Sequence, residues 1–70
     1  MKYQAPEHPT ARKILDLAYY AFNEQGYRRV SMDLVASRLR ISKKTIYVHF
    51  DSKEEILEIA LNQMFFEIEQ

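Results

Sequence analysis

Between residues 40 and 53 the chain reads Arg40-Ile41-Ser42-Lys43-Lys44-Thr45-Ile46-Tyr47-Val48-His49-Phe50-Asp51-Ser52-Lys53, with cations, hydroxyls and a phenol crowded around a few apolar anchors. Groups of this kind recognise rather than transform. Lysine donates to guanine O6 or N7, threonine bonds to several bases, and the methyls of valine can meet a thymine methyl. Tyrosine, histidine and lysine also suit phosphate oxygens, the contacts that position a protein on a duplex without reading it. On a helical wheel Ile46 and Phe50 fall on one side, Lys44, Thr45 and Val48 fall opposite, and Tyr47 lies on the flank. The outer face of such a helix is cationic, hydroxylic and small. It can address base edges.

Other chemistry finds little to work with. Ser31, Ser42 and Ser52 each stand where a helix cap is expected, and the sequence holds neither a G-x-S-x-G elbow nor a Gly-rich phosphate loop. No enzymatic activity is expected. The two histidines, His8 and His49, have no Glu or Cys at ligand spacing, and there is no cysteine, so neither a metal nor any other cofactor is expected. The lack of cysteine fits a reducing, intracellular compartment. Apolar runs such as Met64-Phe65-Phe66 fall far short of the roughly 20 residues of a membrane span. The start, MKYQAPEHPTARK, lacks the apolar stretch of about 7 to 15 residues that a signal peptide needs.

The elements that would position the reading face follow from periodicity and caps. Seventy residues allow one small domain, and a single Gly, two Pro and 47% hydrophobic residues favour an all-α fold. Residues 1 to 9 show no periodicity and read as a flexible arm. From Pro9-Thr10, with Thr10 as the expected cap, Ile14, Leu15, Ala18, Ala21 and Phe22 recur at helical spacing until Gly26, which suits a left-handed C-terminal position. Tyr19 and Tyr20 are expected to pack. Ser31 caps a second helix carrying the stripe Met32, Val35, Ala36 and Leu39, with Asp33 placed to complement the helix dipole. Ser42 caps a third, covering residues 43 to 49. Ser52 and Glu55 form a capping box that opens a fourth, along which Ile56, Leu57, Ala60, Leu61, Met64, Phe65 and Ile68 continue. By its last turns apolar residues spread around much of this helix, which implies more than one partner surface. The expected architecture is a three-helix helix-turn-helix bundle over residues 10 to 52, with residues 53 to 70 as a connecting helix.

Formal net charge is zero, yet the charge is segregated. Residues 1 to 53 hold all ten Lys and Arg against five acids, a balance of +5, and residues 54 to 70 hold five Glu and no Lys or Arg. Between residues 28 and 44 six cations face Asp33 alone. A polyanion approaching that stretch feels the local field, because charges beyond about 10 Å are screened at ordinary salt.

From Ile14 to Leu57 the sequence resembles the DNA-binding domain of the tetracycline-repressor (TetR) family of bacterial transcriptional regulators. The resemblance rests on Ile14-Leu15, Ala18, Phe22, Gly26-Tyr27, Ser31-Met32, Val35-Ala36, Ile41-Ser42, Thr45-Ile46-Tyr47, Phe50, Ser52-Lys53-Glu54 and Leu57, in the family's order and spacing. It implies a cytoplasmic, nucleoid-associated dimeric repressor that binds a palindromic operator on double-stranded DNA. A larger helical C-terminal domain outside this sequence would bind a small-molecule inducer and dimerise, and the fourth helix would act as the lever between the two. By position, the family pattern assigns base reading to Lys43, Lys44 and Thr45, and backbone contacts to Ser31, Tyr47, His49 and Lys53. The wheel adds Val48 to the base-reading set. Many relatives have Gly where Arg40 and Lys44 stand. Arg40 must therefore either strain its backbone or use a different turn, and it adds a further candidate phosphate contact; Lys44 should alter base preference. A competing reading of a different class is a small helical protein-interaction module with a basic face.

Overall fold

In the computed structural model, residues 8 to 69 are described along the backbone, with side chains through residue 63. Four helices follow one another: α1 (Pro9–Gln25), α2 (Met32–Leu39), α3 (Lys43–His49) and α4 (Lys53–Glu69), with a 3-10 turn at Tyr27–Arg29 between the first two. The all-α, helix-turn-helix expectation holds. The proposed arm lies outside the described residues except for His8 and Pro9, and so do the side chains of Met64, Phe65, Phe66 and Ile68.

Each boundary has a local cause. Pro9 opens α1, where its missing N–H is no loss. The cap, however, is His8 and not Thr10: the His8 Nδ1 accepts from the Thr10 N–H at 3.1 Å. An imidazole nitrogen one residue ahead of the proline reaches the same orphan amide that a hydroxyl or carboxylate would. Gly26 ends the helix at φ +93°, with its N–H donating to the Phe22 carbonyl at 3.0 Å. An added Cβ would touch nothing within 4 Å there, so the backbone angle and not the available space calls for glycine.

Ser31, Ser42 and Ser52 cap as expected, their Oγ atoms accepting from the N–H groups of Leu34 at 3.0 Å, Thr45 at 3.1 Å and Glu55 at 3.1 Å. The return bond of the box at α4 differs slightly from the usual pattern. Glu55 accepts from the Asp51 N–H at 2.7 Å, one residue ahead of the cap.

The turn between α2 and α3 settles how Arg40 is accommodated. Arg40 lies at φ 59°, ψ 42°, and is the only non-glycine residue of positive φ among those described. Its N–H donates to the Ser37 carbonyl at 3.2 Å while the Ile41 N–H donates to the Ala36 carbonyl at 3.0 Å. That pair of bonds is a Schellman motif, which needs a left-handed residue at this point. Arginine takes the place that glycine would fill without strain.

The core draws on every helix: Ala11, Ile14, Leu15, Ala18, Ala21 and Phe22 from α1, Met32, Val35 and Ala36 from α2, Ile46 from α3, and Ile56 and Ala60 from α4, with Val30 and Phe50 from the connections. Tyr19 packs against this core, as expected, but Tyr20 is exposed and corrects the expectation that it packs. α3 is pinned by Ile46 and Phe50, whose burial contributes about 1.5–3 kcal/mol each. α1 and α4 pack side by side. The Gln63 side-chain carbonyl accepts from the Arg12 guanidinium at 2.8 and 3.1 Å and ties the third turn of α4 to the start of α1. No helix among the described residues is long and apolar enough to cross a membrane.

Candidate nucleic-acid interface

With Ile46 fully buried, the opposite face of α3 must look outward. Val48 is 72% exposed and Tyr47 47%, and Lys44 is exposed beside them. None of the three makes a hydrogen bond or ion pair with another described residue. An isopropyl group so accessible on a seven-residue helix contributes nothing to the core. Its place on the same face as Lys44 is what a partner surface carrying both methyls and acceptors would require.

The other expected residues are already engaged. Thr45 is half-buried and its hydroxyl lies 2.9 Å from the Ser42 Oγ, so the cap that starts α3 also fixes the Thr45 rotamer. Lys43 is exposed, and its Nζ lies 3.2 Å from Asp33 Oδ1 on α2. Asp33 therefore joins the two helices of the motif, besides favouring the α2 dipole.

Lys53 is held from behind. Its Nζ sits 4.1 Å from the centre of the Tyr27 ring, a cation–π contact that keeps the ammonium near the 3-10 turn. The Tyr27 ring also leans on Phe22, with centroids 5.0 Å apart. The Tyr27 hydroxyl is buried and turned toward the Glu54 carboxylate, too loosely placed to make a well-formed hydrogen bond. Burial first, and then the nearby Glu54 carboxylate, push its phenol above the ordinary value of 10.0.

His49, half-buried in the last turn of α3, stacks against His8 with ring centroids 4.7 Å apart and planes tilted by 49°. The start of α1 and the end of α3 therefore meet. Ser31 and Arg40 are exposed at the two ends of α2. Capping leaves the Ser31 hydroxyl hydrogen available to an outside acceptor.

Sequence reasoning missed three supporting residues, Asp33 as the partner of Lys43, Tyr27 as the platform for Lys53, and His8 as the neighbour of His49. Only the first had a usable signal, as the sole acid among the cations of residues 28 to 44. Among the described residues, no group of three or more His, Cys, Asp or Glu is placed to hold a metal ion.

Two short helices joined by a tight turn, the second outward-facing and flanked by cations, define a helix-turn-helix protein of the kind that places its second helix against DNA. The family model for bacterial regulatory proteins of the tetR family matches residues 14–60. The chain belongs to this family, whose members are DNA-binding regulators rather than enzymes. It is similar to the biofilm operon icaADBC HTH-type negative transcriptional regulator IcaR of Staphylococcus aureus (strain Newman), 40% identical over 53 residues that cover 76% of this chain and 28% of that protein. The protein of the same name from Staphylococcus epidermidis (strain RP62A) is 36% identical over 53 residues, covering 76% of this chain and 29% of its own length. The chain thus spans less than a third of the curated relatives it matches. No solved structure matches.

Proposed function

We propose that this chain is the sequence-specific DNA-reading part of a transcriptional repressor in which α3 enters the major groove. Lys43, Lys44, Thr45 and Val48 face base edges, and Ser31, Arg40, Tyr47, His49 and Lys53 take backbone phosphates. The observation that carries this is the exposed face of α3, where Val48 and Lys44 stand side by side with no partner among the described residues. In the whole protein two copies bind a palindromic operator as a homodimer, their reading helices about 34 to 36 Å apart on successive major grooves. A small-molecule inducer, bound by a part of the protein outside this sequence, releases the operator. The relatives named as negative regulators support repression as the direction of control. Such a protein works in the bacterial cytoplasm at the nucleoid.

An amide-shift titration with a short mixed-sequence duplex, at low and at moderate salt, tests the DNA face. Shifts that cluster at Ser31, residues 43 to 49 and Lys53, and weaken with salt, are expected. Thr45→Ala should relax sequence preference, whereas Lys53→Ala should weaken binding to all duplexes alike and flatten the salt dependence by about 0.9 in log–log slope. If no shifts appear at low salt, or if they gather on α4, the basic surface serves a protein partner and the DNA reading is wrong.

A further inference from the structure

Lys43 is the one expected base reader that already has an anionic partner. Its Nζ lies 3.2 Å from Asp33 Oδ1. Asp33 is also the only acid between residues 28 and 44, a stretch that otherwise carries six cations. Asp33 favours the α2 dipole, a role its backbone position alone fulfils, but its reach across to Lys43 is a second feature that the dipole does not require. The pair does little for the fold. Both side chains are open to water, with 48% and 77% of their surface exposed, so the ammonium can leave the carboxylate readily.

The position of the pair suggests what that second feature is for. Lys43 is the first residue of α3, where the helix meets an approaching duplex, and Asp33 lies in the first turn of α2. A lysine ammonium is a compact point charge on a flexible stem that would take any phosphate within reach. Beside Asp33, a passing phosphate gains little, because it only exchanges one anion for another on the ammonium. An uncharged guanine edge at the right register can instead take a bond from it without bringing a second anion against the carboxylate.

We propose that Asp33 is a specificity-determining residue that holds Lys43 out of the set of phosphate-contacting cations, so that Lys43 engages DNA only where a base acceptor replaces the carboxylate. The proposal rests on the DNA reading given above and adds to it a residue that itself touches no DNA. Its consequence is a selective tax on non-specific binding.

The test is a double-mutant cycle on binding to a mixed-sequence duplex that lacks any selected site, followed by shift titration between about 50 and about 200 mM salt. The four proteins are the unaltered chain, Asp33→Asn, Lys43→Met and the double variant. Freeing Lys43 should add one phosphate contact to the Asp33→Asn protein and steepen its log–log salt slope by about 0.9. Its advantage over the unaltered chain should then shrink about threefold across that salt range. In the Lys43→Met background, Asp33→Asn should leave the slope unchanged. An equal effect of Asp33→Asn in both backgrounds would mean that the carboxylate merely repels phosphate, and no effect in either would mean that the pair is idle; each overturns the proposal while leaving the DNA reading intact. Failure of the unaltered chain to bind at the lowest salt overturns the DNA reading, and the proposal falls with it. Asp33→Ser repeats the cycle should the asparagine variant not give the native amide spectrum.

Discussion

Among the described residues Arg40 carries the clearest backbone strain, and its cause is local. An L-residue in the left-handed region costs roughly 1–2 kcal/mol, which glycine avoids. Arg40→Gly should therefore stabilise the fold by about 1 kcal/mol after the extra freedom of an unfolded glycine is offset. For a domain of this size that raises the thermal midpoint by about 4–8 °C. If Arg40 holds a phosphate, the same variant binds DNA less tightly, so a melting curve and a binding isotherm should move in opposite directions. An unchanged midpoint would show that the turn bears no strain. Tyr27 makes a second case. Its phenol is raised, so the stability linked to its neutral form is fully present below the ordinary tyrosine value and is lost as pH rises through the higher folded one. Tyr27→Phe keeps the ring under Lys53 and removes the buried hydroxyl that faces Glu54. Denaturation curves at neutral and strongly alkaline pH should show the variant losing less stability than the unaltered chain.

At the scale of elements, α3 is the weakest unit taken alone. Seven residues lie far below the length at which a helix persists in water, so Ser42, Ile46 and Phe50 must supply its order. Ser42→Ala should cost about 1 kcal/mol in urea denaturation. Because Ser42 also fixes the Thr45 hydroxyl, the variant should discriminate less well between two duplexes differing at one base pair, a result that a pure loss of stability would not give. The caps were legible in the sequence because they act within a single turn: Ser31, Ser42 and Ser52 all perform as read. His8 was not, since an imidazole ahead of Pro9 is an uncommon cap beside a more usual Thr10. Nor were Asp33 with Lys43 and Tyr27 with Lys53, because each pair joins separate elements and exists only once those elements have docked. The exposed side of α3 was readable from the wheel alone, whereas the engagements of its flanking residues were not.

In the molecule as a whole, α1 is the frame, with the helix-turn-helix pair and α4 both packed against it. Ile14, Ile46 and Ile56, one each from α1, α3 and α4, are completely buried, so the three helices share one core with no spare layer. Ile56→Ala should cost about 2–5 kcal/mol, a large share of the roughly 5–15 kcal/mol that holds a domain folded. The urea midpoint should fall sharply without a change in slope if the fold remains cooperative. The apolar periods that place these isoleucines in the core are plain in the amino-acid sequence, because a helix facing a single core repeats its buried positions regularly. The stacking of His8 on His49 has no such periodic signal, and it has a practical consequence. The one residue that caps α1 is also the one that lies against the His49 ring in the last turn of α3. A chain trimmed to start at Pro9 would lose both the α1 cap and the neighbour of His49, so a shortened version chosen for ease of handling would present a different end of α3 in any binding assay.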